Sequence, residues 1–249
     1  RSVAVTGVQT CALPISVKYP RALILSVAAV LTACTLAAGC TATVSGNVVA
    51  APNLGRAAEP LHDSALPGLL LSASDIGSIL GATMHLAESS ESMYANEPLP
   101  GGCLVWAEAQ EATYKDSGWT AVQVQHLSDH SDNPDNIVYQ AVVAFPDGQH
   151  SHDFYNAQAT EWARCDDRRV DLHDPWDPHS HYWALSKVKN VDGVLAITRI
   201  EEDDPRWACQ RALAVANNVV IDVSTCDYSD PNDPAVQIAK RIAQTVEKR

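Results

Sequence analysis

A chain of 249 residues, 46% hydrophobic and 19% charged, has a globular composition and room for one sizeable domain with appendages or two small ones. Its formal charge of −13 is unevenly spread: residues 1–39 hold Arg1, Lys18 and Arg21 and no acid, which leaves 14 basic against 30 acidic groups in the rest. So acidic a body repels phosphate backbones and anionic headgroups, which excludes nucleic acid as an expected partner.

Residues 1–16 are expected to lie outside the protein proper. The stretch VTGVQTCALPI resembles the translation of a common sequencing-adapter oligonucleotide, and an export signal gains nothing from a polar, proline-broken extension. Residues 17–39 read as a lipoprotein signal peptide: Lys18 and Arg21 precede the apolar run ALILSVAAVLTACTLAAGC. A span of about 20 apolar residues is long enough to cross a membrane. The small residues at its end, with no basic stop-transfer cluster behind them, instead predict an exported, cleaved segment.

It closes on Leu36-Ala37-Ala38-Gly39-Cys40, which resembles a bacterial lipobox, where the cysteine becomes the first mature residue and carries diacylglycerol. Leu31-Thr32-Ala33-Cys34 fits the same pattern, but cleavage there would leave Cys40 an unpaired thiol, so Cys40 is the expected lipid site. The expected location is the cell membrane, lipid-anchored on its extracytoplasmic face, with two or three acyl chains because one alone holds weakly. Residues 40–66 are small, polar and proline-punctuated and predict a flexible tether.

A single folded domain is expected over residues 67–249. In LPGLLLSASDIGSILG, Ser72 and Asp75 stand at capping-box spacing and Gly81 ends the short helix they start. ESSESMYANEPLPGG reads as loop, and TAVQVQHL and IVYQAVVAF as strands. SHDFYNAQATEWARC predicts a helix capped by Ser151, with Phe154, Ala157 or Gln158, and Trp162 at core spacing. YWALSKV and GVLAITRI follow as strands. CQRALAVANNVVIDVSTC reads as two more folded about Asn217-Asn218, since asparagine tolerates the left-handed backbone of a tight turn. DPAVQIAKRIAQTVEKR closes as a helix with Asp233 as N-cap, Pro234 in the first turn and basic residues at its end. Consecutive strands on short turns predict an antiparallel β-sheet with flanking helices on one face, an α+β fold.

Of seven cysteines, Cys11 falls in the adapter-like stretch, Cys34 in the cleaved signal and Cys40 at the lipid site. Cys103, Cys165, Cys209 and Cys226 remain, an even set on an exported chain that predicts two disulfides. Counting outwards from Ala216 and Val219 brings Cys209 opposite Cys226 at a non-hydrogen-bonded position. Cα atoms there stand about 4.5 Å apart, near the lower limit for a bridge. Cys103 and Cys165 are left as the second pair, closing a long loop worth about 4 kcal/mol in the chain-entropy model. No CxxC spacing supports a four-cysteine zinc site.

The lipobox followed by TATVSG, then LLLSASDIGSILG, Cys103, the FYNAQATEWARC helix and CQRALAVANNVVIDVSTC together resemble the PknH-like extracellular domain family. The family occurs in mycobacterial lipoproteins and as the outer sensor of a transmembrane serine/threonine kinase. The resemblance spans about residues 67–247. It implies an antiparallel sheet with flanking helices, two disulfides and a cleft that takes a small ligand. With a lipid anchor expected where the kinase has a membrane helix, and no kinase domain expected, signalling straight through the membrane is not.

Candidate chemistry is sparse. In DLHDPWDPHSHYW the residues that would hold a metal are His173, Asp174, Asp177, His179 and His181. Residues two apart in a strand share a face, so His179 and His181 would chelate with Asp174 or Asp177. A solvated acidic loop, kept from helix by Pro175 and Pro178, is the preferred reading of these residues, and no metal or cofactor is expected. DNPDN and EEDDPRW lack the spacing of a hand-type calcium loop and read as acidic turns. No G-x-S-x-G, H-E-x-x-H, S-x-x-K or phosphate-gripping glycine loop is present, so no enzyme is expected. The expected role is a sensor-like envelope lipoprotein that binds a small ligand or an envelope protein. A metal-binding or structural lipoprotein and an extracytoplasmic hydrolase are the alternatives.

Overall fold

The structure, a computed structural model, describes residues 58–95, 103, 109–130, 132–173, 180–228 and 232–249, all within the unit Ala50–Arg249. A 3₁₀ turn (Asp63–Gly68) leads to α1 (Ala73–Leu80), β1 (His85–Ser90), the single-turn α2 (Glu111–Tyr114), β2 (Ala121–Ser128), β3 (Asn136–Ala144) and α3 (Gly148–Ala163). β4 (Arg169–His173), β5 (Ser180–Leu185), β6 (Lys189–Val191), β7 (Val194–Glu201), β8 (Ala208–Ala216), β9 (Val219–Asp227) and α4 (Pro234–Glu247) follow. Among the described residues the strands form one sheet in the order β1-β2-β3-β9-β8-β7-β5-β4, with β6 paired to β7, and every strand pair is antiparallel.

β9 is buried along its whole length, the condition of a strand covered on both sides. Val219, Ile221 and Val223 face one way with Ala212, Ala214 and Val142. There α4 lays down Ile238, Ala239 and Ile242 beside Leu66 and Ile76 of the amino-terminal elements. Val220, Leu213, Val143 and Ala141 face the other way and meet Phe154, Tyr155 and Trp162 of α3. The expectation of helices on one face is therefore corrected: they flank both, because β3, β8 and β9 offer apolar residues at odd and even positions alike.

Local chemistry explains where the elements begin and end. Ser72 caps α1 by accepting the Asp75 N–H at 3.1 Å, and Gly81 stops it in the left-handed region at φ 68°. α3 starts a turn earlier than Ser151. Asp147 is its cap, accepting the His150 N–H at 3.0 Å, while the Ser151 hydroxyl donates to the carbonyls of Gly148 and Asn217 at 2.9 and 2.8 Å. A Cβ on Gly148 would stand 3.3 Å from the Asn217 carbonyl, so this helix start fits tightly against the β8–β9 turn. Asp233 precedes α4, but its carboxylate accepts from the Gln210 amide at 2.7 Å and makes no cap.

Strands β1, β4 and β6 depart from the sequence reading. β1 takes in Glu88–Ser90, the start of the stretch read as loop: an edge strand exposed almost throughout has no buried face to impose alternation. The β8–β9 pairing joins Ala216 to Val219 and Cys209 to Cys226, with Asn217 left-handed at φ 50°. The turn also holds the entering chain. Asn218 accepts the Leu61 N–H at 2.7 Å and donates to the carbonyls of Leu61 and Phe145 at 3.1 and 2.9 Å, and Asn217 donates to that of Glu59 at 2.8 Å.

Candidate functional site

Arg211 is the one charged residue of β8, and Asp222 lies inside β9, whose other carboxylate, Asp227, ends the strand. The register pairs Arg211 with Ser224 and Leu213 with Asp222, so the charged residues are diagonal neighbours on the face that α3 covers. The guanidinium meets the carboxylate through Nη2 at 2.7 Å and Nε at 2.9 Å, with the two side chains 1% and 0% exposed. Tyr114 donates its hydroxyl to Asp222 Oδ2 at 2.9 Å, and the Ala109 N–H donates to the same oxygen at 3.1 Å. The Trp162 ring centre lies 5.0 Å from the guanidinium carbon. So many donors are needed because taking a charge out of water costs several kcal/mol. Burial, then the neighbouring carboxylate charge, pushes the Tyr114 phenol well above its ordinary range, so it remains a donor at any physiological pH. Ala109 delivers its N–H from φ 43°, a region that residues with a side chain rarely adopt.

The adjoining row crosses four strands: His126, Tyr139, Ser224 and Arg211 are successive cross-strand partners. His126 stacks on Tyr139 with centroids 4.5 Å apart, and Tyr94 meets Tyr139 edge-on at 5.8 Å. Burial lowers the His126 pKa, opposed in part by the Glu88 charge, which favours the neutral ring. Among the described residues His126 Nε2 and the fully buried Ser224 hydroxyl have no hydrogen-bond partner.

Beyond this row lies the Cys209–Cys226 bridge, Cα atoms 4.0 Å apart, packed among Trp183, Trp207 and Ile137. Trp207 meets the half-exposed Tyr228 ring at 4.9 Å, with Arg206 over that ring at 5.5 Å. The second bridge joins Cys103 to Cys165 at the end of α3, Cα atoms 5.8 Å apart, and Arg168 donates to Cys103 Sγ at 3.1 Å. Rings thus alternate with hydrogen-bonding groups along this side of the sheet. Among the described residues no serine or threonine hydroxyl is hydrogen-bonded to a histidine.

Cys34, Cys40 and the lipobox lie outside the described residues, as do Asp174, Asp177 and His179. The register pairs His173 with Ser180 and Leu172 with His181, so the two histidines are not cross-strand partners. The structure gathers a different group, Asp129, His130 and Asp135, whose ligand-type atoms lie within 4.8 Å of one another. Asp129 is already engaged: it accepts the N–H groups of Asp135 and Asn136 at 3.0 and 3.2 Å and the Asn136 amide at 2.8 Å. Burial pushes its carboxyl up, and the donors of Asn136 and Asp135 outweigh it and hold the pKa below the ordinary value. The group closes the DNPDN turn.

Grooves of small-molecule size open on the surface among the described residues. One, of about 480 Å³, runs between the 3₁₀ turn and the start of β2, lined by Asp63, Leu66, Pro67, Glu91, Trp119 and Gln123 among others. Another, of about 590 Å³, lies where the chain enters, beside Glu59, Asp147, His152 and Asn217.

A disulfide-bridged antiparallel sheet with helices on both faces defines an α+β module of the disulfide-stapled extracellular class. The model of the PknH-like extracellular domain matches residues 61–245, and the chain belongs to that family. It is 30% identical over 194 residues to the serine/threonine-protein kinase PknH of Mycobacterium bovis, covering 76% of this chain and 32% of the kinase. The Mycobacterium tuberculosis PknH is 30% identical over 194 residues, covering 76% of this chain and 30% of the kinase. The chain thus matches about a third of the length of these relatives. The crystal structure of the extracellular domain of PknH from Mycobacterium tuberculosis superposes with a TM-score of 0.71 at 31% identity, covering 77% of this chain and 99% of that one.

Proposed function

We propose that this protein is a cell-envelope lipoprotein, held on the extracytoplasmic face of the membrane by diacylglycerol on Cys40. Its PknH-like extracellular domain receives a small ligand or an envelope partner and catalyses nothing; nucleic acid and cofactors have no part in it. The observation that carries the reading is the row His126–Tyr139–Ser224 beside the buried Arg211–Asp222 pair. An interior built for stability alone satisfies its polar groups, and departures from that rule concentrate where a protein binds or switches.

Native mass spectrometry of the protein purified from its own envelope tests it. A co-purifying mass is expected in the wild type and lost in Tyr139→Ala; a bare protein mass in both would overturn the receptor reading. Cys40→Ala is expected to move the protein from the membrane to the soluble fraction, while Cys34→Ala leaves it membrane-bound. The reverse pattern would place the lipid on Cys34.

A further inference from the structure

We propose that the groove between the 3₁₀ turn and the start of β2 binds a primary alkylammonium group. β1 stops at Ser90, paired with Val124, whereas β2 begins at Ala121, so among the described residues Ala121–Gln123 has no strand on its outer side. The groove of about 480 Å³ opens at that gap. Leu66 and Pro67 supply apolar wall, and the Trp119 indole, 37% exposed, supplies a ring face with no aromatic or cationic partner among the described residues.

The polar groups here are hydrogen-bond acceptors in excess of donors. Asp63 accepts only the Thr120 hydroxyl, at 3.3 Å, and Glu91 has neither a hydrogen bond nor an ion pair among the described residues. Gln123 is 6% exposed and fixed by its Nε2, which donates to Ser89 Oγ and Ser90 O at 3.0 Å each and more weakly to Val124 O at 3.4 Å. Gln123 lines the same groove, and its Oε1 accepts no hydrogen bond among the described residues. Among the described residues no lysine, arginine or histidine lines the groove.

Two carboxylates, an amide oxygen with no protein donor and an open indole ask for a cation that donates. A primary ammonium offers three N–H donors and no acceptor, its charge is attracted to an indole face, and its alkyl body suits Leu66 and Pro67. A carboxylate or phosphate ligand would be repelled, and the acidic domain concentrates small cations around itself. A quaternary ammonium keeps the charge and loses the donors, which separates the role of Gln123 from that of the ring. The proposal stands independently of the row on the α3 face.

The amine comes either free or as a lysine side chain, and the test covers both. The folded protein is titrated with 1,5-diaminopentane, with Nα-acetyl-lysine amide, and with tetramethylammonium and n-butanol as controls, following the Trp119 indole N–H resonance. Saturable binding is expected with a dissociation constant on the order of 1 mM, as exposed charge pairs and one cation–ring contact allow. Tetramethylammonium should bind more weakly and n-butanol not at all. The Asp63→Asn/Glu91→Gln double variant and Trp119→Ala should each weaken binding by about tenfold, the scale of 1.4 kcal/mol. Glu91→Gln alone, at an exposed site, keeps the comparison should the double variant fold poorly. Binding by the lysine amide but not the diamine would assign the site to a peptide side chain; the opposite, to a free amine. No saturation by either, or equal affinity in wild type and Glu91→Gln, would overturn the site.

Discussion

The two faces of the sheet share every strand and differ in almost everything else. The α4 face is an aliphatic core: leucine, isoleucine, valine, methionine and alanine, with no aromatic residue in its buried cluster. The α3 face holds Tyr114, Phe145, Phe154, Tyr155 and Trp162, together with Arg211 and Asp222. Aliphatic packing against an amphipathic helix tolerates many arrangements of similar volume. A buried ion pair with four donors on one carboxylate tolerates very few, since each group depends on the position of the others. The first face secures the fold; the second fixes a geometry.

The comparison breaks most visibly at Asp222. Asp222→Ala leaves the Arg211 charge buried without its partner and should cost about 3–5 kcal/mol in denaturant unfolding, with a changed near-ultraviolet spectrum from the adjacent rings. Arg211→Met with Asp222→Leu should recover most of that loss, though not all, because Tyr114 and Ala109 keep donors with nothing to meet. A double variant as unstable as the single one would mean that the pair itself, not the stranded charge, sets stability. On the other face Ile242→Ala should cost about 3 kcal/mol and leave the near-ultraviolet spectrum unchanged.

The smallest expected effect is a pH slope at His126. Burial sets its folded pKa below the ordinary 6.5, so the unfolded chain takes up a proton first. Stability is then complete above about that pH and falls as pH drops through it towards the lowered folded value. His126→Gln should flatten this part of the profile. A slope unchanged in that variant would assign the pH dependence elsewhere.

The hairpin and its bridge were legible in the sequence because an Asn-Asn turn leaves one way to count outwards, and each residue then has a single partner. The α1 cap was legible for a similar reason: Ser72, Asp75 and Gly81 act through local hydrogen bonds. β1 and β4 were not, since an edge strand is held by its neighbour more than by its own pattern. The Arg211–Asp222 pair did leave a signal, two opposite charges in apolar strands at positions that share a face once the register is known. Tyr114 and Ala109 left none, because only the tertiary fold brings a distant loop onto Asp222. The group at Asp129 and Asp135 was hidden likewise, its members drawn together by a turn rather than by strand or helix periodicity.

The grip of Asn217 and Asn218 on the main chain of Glu59 and Leu61 has a mechanical consequence. Tension arriving along the chain from its amino-terminal side is delivered to the tip of the β8–β9 hairpin and, through the Phe145 carbonyl, to the end of β3. These are central strands, and a covalent cross-link spans the hairpin at its far end. The load therefore enters the stiffest part of the molecule and bypasses the edges, so a domain pulled from that side would turn as a rigid body before it began to peel.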